Sequence, residues 1–227
     1  MLTEPPEDPE RLAQDRAVIR AVRARLAGGP RPSPDADAIA LRAVLKGLSA
    51  SETAAVRAVL GRIDAGHGAP LVVWGPASQV IAADRYGLTA RMAATPEAAL
   101  KAVRDGGRAL MDLTAASAWW GRLLAEPELR VVAALPDSRA AHPRALMVQR
   151  SATGPTGDDR TFWITDSPLA AGRIVQALAA AGLAASPLIE AGGLKLFALA
   201  GYVQAQDGRL DDAPGDLRGV IGAAPLF

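Results

Sequence analysis

Apolar residues in the first 67 positions recur at helical spacing. Leu12, Ile19, Val22 and Leu26 mark one face of a first helix, which Gly28-Gly29-Pro30 ends. After "RPSPDAD" a second helix carries Ile39, Leu41, Val44, Leu45 and Leu48. Ser49 and Glu52 have the spacing of a capping box, in which the hydroxyl accepts an amide N–H and the carboxylate reaches back. They open a third helix with Val56, Val59, Leu60 and Ile63 on one face, closed at Gly66-His67-Gly68.

From residue 70 to 137 the period changes. "PLVVW" is a continuous apolar run, as in a strand covered on both faces. Gly75-Pro76 breaks it, and a helix from Ser78 to Tyr86 follows, closed by Gly87. "LTARMAA" reads as a strand. "TPEAALKAVRDGG" is a helix with Thr95 as N-cap and Pro96 at its first position. "RALMDL" is a strand, "TAASAWWGRLLAEPE" a helix and "LRVVAALP" a strand. Strands alternating with short helices predict a small doubly wound lobe with a parallel sheet.

Residues 143–227 form a third unit. "RALMVQR" is a strand, and the polar run "SATGPTGDD" leads into the strand "RTFWITD". "SPLAAGRIVQALAAAG" is a helix with Ser167 as N-cap and Pro168 at N1. "LAASPLIEAG" and "LKLFALAGYV" are strands, "DDAPGDLRG" is a poor helix, and "VIGAAPLF" is a last strand. That order, β-α-β-β-α-β, predicts a ferredoxin-like fold. The chain therefore reads as α/β, or α+β taken whole: a helical segment at 1–67, an α/β lobe at 70–137 and a ferredoxin-like domain at 143–227.

Composition narrows the chemistry. The formal net charge is +1 and aromatic residues are few, which argues against a nucleic-acid partner. The absence of cysteine removes disulfides, thiolate catalysis and sulfur-ligated metals. With only His67 and His142, neither a His-rich metal site nor a His-based triad is expected. Asp207, Asp211 and Asp212 lack the spacing of a calcium loop and read as a solvated loop. Neither a cofactor nor a metal is expected. The acidic, proline-bearing start lacks the form of a signal peptide, and no run reaches the ~18–20 apolar residues of a membrane helix. A cytoplasmic protein without a membrane partner is the expectation.

"PTGDDRT" (Pro155 to Thr161), a helix with Gly172-Arg173-Ile174-Val175, and then Ile189-Glu190 resemble the junction and regulatory ACT domain of prephenate dehydratase. That family carries a PTG-x-D-K-T run, a G-A-L-V motif and an E-S-R-P motif there. Val220-Ile221-Gly222-Ala223-Ala224-Pro225 sits where its terminal strand would be, and Trp74-Gly75-Pro76 resembles its Leu-Gly-Pro loop. The three helices ahead occupy the place of the chorismate mutase domain in the fused mutase–dehydratase enzymes. The match is partial. The family's catalytic Thr-Arg-Phe would fall at Pro143-Arg144-Ala145, where only the arginine is kept, and there is no room for a second lobe. Dehydration is therefore not expected.

The resemblance implies a protein of aromatic amino acid biosynthesis, a chorismate mutase if it is an enzyme. That rearrangement needs only cations to hold a dicarboxylate and stabilise developing charge. Gln14-Asp15-Arg16 resembles the family's mid-helix Glu-Arg, Asp35 its aspartate, and Arg20, Arg23 and Arg25 could substitute for missing cations. The alternative is a catalytically inactive ACT-type protein that binds an aromatic amino acid through Gly172, Arg173, Ile174, Val175 and Glu190, or that modulates a partner enzyme. Either form would be a homodimer. A plainer reading stands beside these: Arg16, Arg20 and Arg23 as a solvated helix face, Gly75-Pro76 as a turn rather than an anion site, and Trp119-Trp120 as packing.

Overall fold

The computed structural model describes residues 8–27, 33–139, 141–151 and 154–227, and of His67 only the backbone. Six α-helices lie within them: α1 (Pro9–Ala27), α2 (Pro34–Leu45), α3 (Ala50–His67), α4 (Pro76–Tyr86), α5 (Pro96–Arg104) and α6 (Ala171–Ala180). The strands are β1 (Leu71–Trp74), β2 (Arg91–Met92), β3 (Arg108–Asp112), β4 (Leu129–Leu135), β5 (Ala145–Arg150), β6 (Asp159–Thr165), β7 (Ala185–Ala191), β8 (Leu194–Ala200) and β9 (Arg218–Pro225). All nine join one mixed sheet in the order β2-β1-β3-β5-β4-β9-β6-β8-β7. No described helix is long and apolar enough to cross a membrane.

Local signals explain most of the elements. Ser49 and Glu52 form the capping box of α3, the Ser49 amide donating to Glu52 Oε2 at 2.7 Å and the Glu52 amide to Ser49 Oγ at 3.3 Å. Thr95 caps α5 by accepting from the Ala98 amide at 3.1 Å. The apolar run of β1 is buried as its composition demands.

The sheet departs from the expected parallel lobe. β1 is parallel to β2 and to β3, but β5 lies antiparallel between β3 and β4. The strand that the sequence groups with the C-terminal unit is thus interleaved with the lobe. β4 and β9 are parallel neighbours with a single registered pair, Val131 and Gly222. Beyond that seam β9, β6, β8 and β7 are antiparallel neighbours, with α6 packed against them. The stretch 211–217, where the sequence hints at a second helix, forms turns and bends, preceded by a 3-10 turn at Gly208–Leu210.

Alternating side chains fill both faces. Val131, Ala134, Phe162 and Ile164 point into one core with α5, Trp120 and Leu123. Val132, Leu135, Leu110 and Met147 face α4 on the other side, and Trp163 and Phe197 face α6. Burying a side chain of this size stabilises the fold by about 1.5–3 kcal/mol. The helical layer has far less to bury: its core is Ala17, Ala21 and Val56, edged by half-buried Leu41, Val44 and Leu60. Here the sequence pattern misleads, because Ile19 and Leu26 are exposed (49% and 63%) and the alanines face inward.

Three elements differ from expectation. "LTARMAA" contributes only two paired residues, both exposed. "TAASAWW" forms a turn and then a 3-10 helix at Trp119–Leu124, where Trp119 Nε1 donates to the Asp112 carbonyl at 2.7 Å and both tryptophans are buried. Ser167 does not cap α6. Its amide donates to Thr165 Oγ1, its carbonyl accepts from Lys195 Nζ at 2.8 Å, and the helix begins at Ala171.

Candidate functional site

The thin helical layer leaves space beneath it. A cavity of about 530 Å³ lies between α1–α3, α4 and the sheet face of β4 and β5. Val132, Leu135 and Met147 form its floor, and Ala21, Leu41 and Leu60 form part of its helical wall. Into this apolar frame the chain inserts Arg25, Arg57, Arg85 and Arg108 together with Asp37, Asp64 and Asp137.

The charges fall into two groups. In the first, Arg25 Nε lies 3.3 Å from Asp37 and its Nη2 3.8 Å from Asp64. Arg108 pairs with the other oxygen of Asp64, donates from Nε to the Ala69 carbonyl at 3.1 Å, and sits 5.4 Å over the Tyr86 ring. In the second, the buried carboxylate of Asp137 accepts from Arg57 at 2.7 Å and pairs with Arg85 at 3.0 Å. Gly61 makes this convergence possible. A Cβ there would stand 2.0 Å from the Arg85 carbonyl oxygen, so only glycine lets α4 approach α3 closely enough for both arginines to reach one aspartate.

The Phe227 ring completes the second group, with the Arg57 guanidinium 5.4 Å and the Arg42 guanidinium 5.7 Å from its centre. The Phe227 amide donates to the Asp137 carbonyl at 3.1 Å. Arg57 Nε is buried and has no acceptor among the described residues. A buried donor left unpaired costs about 1–3 kcal/mol, which marks this guanidinium as incomplete.

Burial shifts the titrating groups. It pushes the Asp37 carboxyl above its ordinary value, with Arg25 opposing and Asp64 adding to the shift. It pushes the Arg57 guanidinium down, with Asp137 opposing, and the Tyr86 hydroxyl up. Burial thus disfavours the charged forms of Asp37 and Arg57, and their ion-pair partners oppose it.

Of the residues singled out in the sequence, Arg25 lines the cavity and the others lie elsewhere. Arg16, Arg20 and Arg23 are exposed on α1, and none lines the cavity. Asp35 lies at the start of α2 outside the cavity, its carboxyl held below the ordinary range first by the Ser33 hydroxyl. On the C-terminal unit, Gly172 and Arg173 are exposed, with Arg173 donating to Gln176 at 3.3 Å. Ile174 is fully buried and Val175 half-buried under α6, while Glu190 is exposed and 3.5 Å from Lys195. Arg173 and Glu190 thus have separate partners. The possible anion site at Gly75-Pro76 is closed, because Asp112 accepts the Ala77 and Ser78 amides. His142 is exposed, and the side chain of His67 lies outside the described residues.

The "PTGDDRT" run has a local structural role. The Thr156 amide and hydroxyl donate to the two oxygens of Asp159 at 2.8 and 2.6 Å, which closes a turn at the entrance to β6. Thr161 Oγ1 then donates to the Gly201 carbonyl at 2.8 Å and accepts the Val203 amide at 2.9 Å, binding β6 to the end of β8. Any strand entered by such a turn could use these residue types at this spacing.

No family model matches the chain, and no curated protein matches it. Among solved structures it is similar to one described as "GqqA- a novel type of quorum quenching acylases", at 18% identity, covering 69% of this chain and 95% of that one, with a TM-score of 0.46. These findings correct the family reading. No model of the chorismate mutase or prephenate dehydratase family matches the chain, and the solved structure named above is described as an acylase. The assignment to aromatic amino acid biosynthesis, both as a mutase and as an ACT-type regulator, is overturned. At this identity and TM-score the acylase lends the chain no activity of its own.

Proposed function

We propose that this protein binds a small organic acid with one negative charge and an apolar body, in the cavity beneath α1–α3. One observation carries the reading: four arginines face three aspartates in an otherwise apolar space of about 530 Å³. The volume is in the range of small-molecule sites, and such sites combine apolar walls with a few convergent polar groups. The surplus of one positive charge suits one anion. An anion leaving water loses hydration that only a paired, oriented donor can replace. Arginine provides this better than lysine, because its planar fork matches a carboxylate with two parallel hydrogen bonds. The polar lining, arginine and aspartate with Tyr86 and Gln149, is a set for holding and orienting a ligand.

Octanoate and octanamide are suitable probes, since they differ in charge and little in shape. Octanoate raises the melting temperature, because a ligand that binds only the native state stabilises it. Octanamide raises it much less. Equal shifts with both, or none with either, would overturn the reading.

The proposal keeps the three-part layout, in which the cavity falls between the helical segment and the lobe and the C-terminal unit is ferredoxin-like. It also keeps a cytoplasmic homodimer. Among the described residues no strand lies beyond the outer edge of β7, which makes that edge available for pairing with a second copy. Light scattering that reports a monomer would remove the dimer.

A further inference from the structure

The cavity's surplus charge sits at one end. Around Asp64, two arginines (Arg25, Arg108) meet two aspartates (Asp37, Asp64), and the group is neutral. Around Asp137, two arginines (Arg57, Arg85) share one carboxylate, and the group carries one positive charge. We infer that the ligand's anionic group docks at this second group, on the Nε–Nη2 edge of Arg57. The inference rests on the reading of the cavity as an organic-acid site and adds where the acid's head lies.

Three features converge on Arg57. Its Nη1 is already committed to Asp137 at 2.7 Å, so the edge that remains is the one a carboxylate engages with two parallel bonds. Its Nε lacks any acceptor among the described residues although it is buried, so a ligand oxygen there removes a standing cost. Asp137 and the Phe227 ring hold the guanidinium from two sides, which fixes its orientation before a ligand arrives. Arg85 takes the second oxygen of Asp137 and adds charge without competing for the Arg57 edge. The Phe227 ring, also part of the cavity wall, gives the ligand's apolar body its first contact beyond the head.

Calorimetric titration of octanoate into the full chain tests this. Arg57→Gln weakens binding roughly tenfold or more, as loss of a bidentate charged contact should. Arg25→Gln weakens it by less, about threefold, through loss of net charge alone. Arg62→Gln, an exposed arginine outside the cavity, leaves it unchanged. Arg57→Lys serves as a second variant in case Arg57→Gln fails to fold. It keeps the charge but not the fork, and octanoate binds it more weakly than the wild type. A greater loss in Arg25→Gln than in Arg57→Gln, or binding by Arg57→Lys as tight as the wild type's, overturns the docking site and leaves the cavity reading standing. Failure of the wild type to bind octanoate overturns both.

Discussion

The carboxylate of Asp112 closes the N-terminus of α4, accepting the backbone N–H of Ser78 and, at 3.0 Å, that of Ala77. A helix start carries a partial positive charge and unpaired amides, which makes it a ready anion site. Here β3 delivers the chain's own anion to it. Asp112→Ala strands both amides, and we expect a loss of about 1–3 kcal/mol in urea unfolding, as for a helix cap with buried donors. Asp112→Asn, which keeps one acceptor, should lose less than Asp112→Ala.

Gly222 sits at the seam between β4 and β9. Its φ is +142°, and a Cβ would stand 2.3 Å from the Val131 carbonyl oxygen and 2.5 Å from the Val131 nitrogen. Backbone on the other side of the contact cannot move aside as a side chain can. Gly222→Ala should therefore cost about 3 kcal/mol or more, through strain and overpacking together. Soluble expression with an unchanged melting temperature would refute this.

Arg42 fastens α2 to the C-terminal unit. Its Nε donates to the Leu226 carbonyl at 3.3 Å, its Nη1 to the Thr156 carbonyl at 2.5 Å, and its Nη2 to the Asp158 carbonyl and Thr156 Oγ1, each at 3.0 Å. Arg42→Ala leaves several part-buried acceptors unpaired, and we expect a loss of about 2–4 kcal/mol in chemical denaturation. Arg42→Lys should restore less than half of it, since one ammonium cannot span acceptors placed for a fork.

Asp37 gives a pH signature. Burial raises its folded pKa above the ordinary aspartate value. Between the unfolded and folded values the native state holds more protons, so this residue adds stability as pH falls through its folded pKa. Asp37→Asn abolishes that gain. The variant should match or exceed the wild type's melting temperature at neutral pH, and its advantage should shrink in acid. An advantage that grows in acid would contradict the sign.

The elements with short-range causes were legible in the sequence. Ser49 with Glu52, Thr95 ahead of Pro96, and the run Leu71–Trp74 each announce themselves within a few residues. The failures share one cause, a distant partner that outweighs a local preference. Ser167 has the form of a cap, yet Thr165 and Lys195 claim its backbone. β5 follows a short loop, and nothing local says that it will enter between β3 and β4. The cavity was hidden for the same reason. Arg25, Arg57, Arg85 and Arg108 come from four separate elements; only Arg25 stands out in the sequence, as a possible substitute cation, and the other three each read as surface arginines. The family resemblance misled because Thr156, Asp159 and Thr161 answer to turn and strand geometry.

β9, the last of the described strands in chain order, lies in the interior of the sheet, between β4 and β6. A ribosome releases the chain in order, so β4 and β6 both emerge well before the strand that will join them. During that interval each presents an open edge. The nascent chain must keep two half-sheets from pairing wrongly, with each other or with neighbouring chains, until β9 arrives. Slow synthesis or premature termination ahead of Arg218 would thus prolong the stage at which this protein is most prone to aggregate.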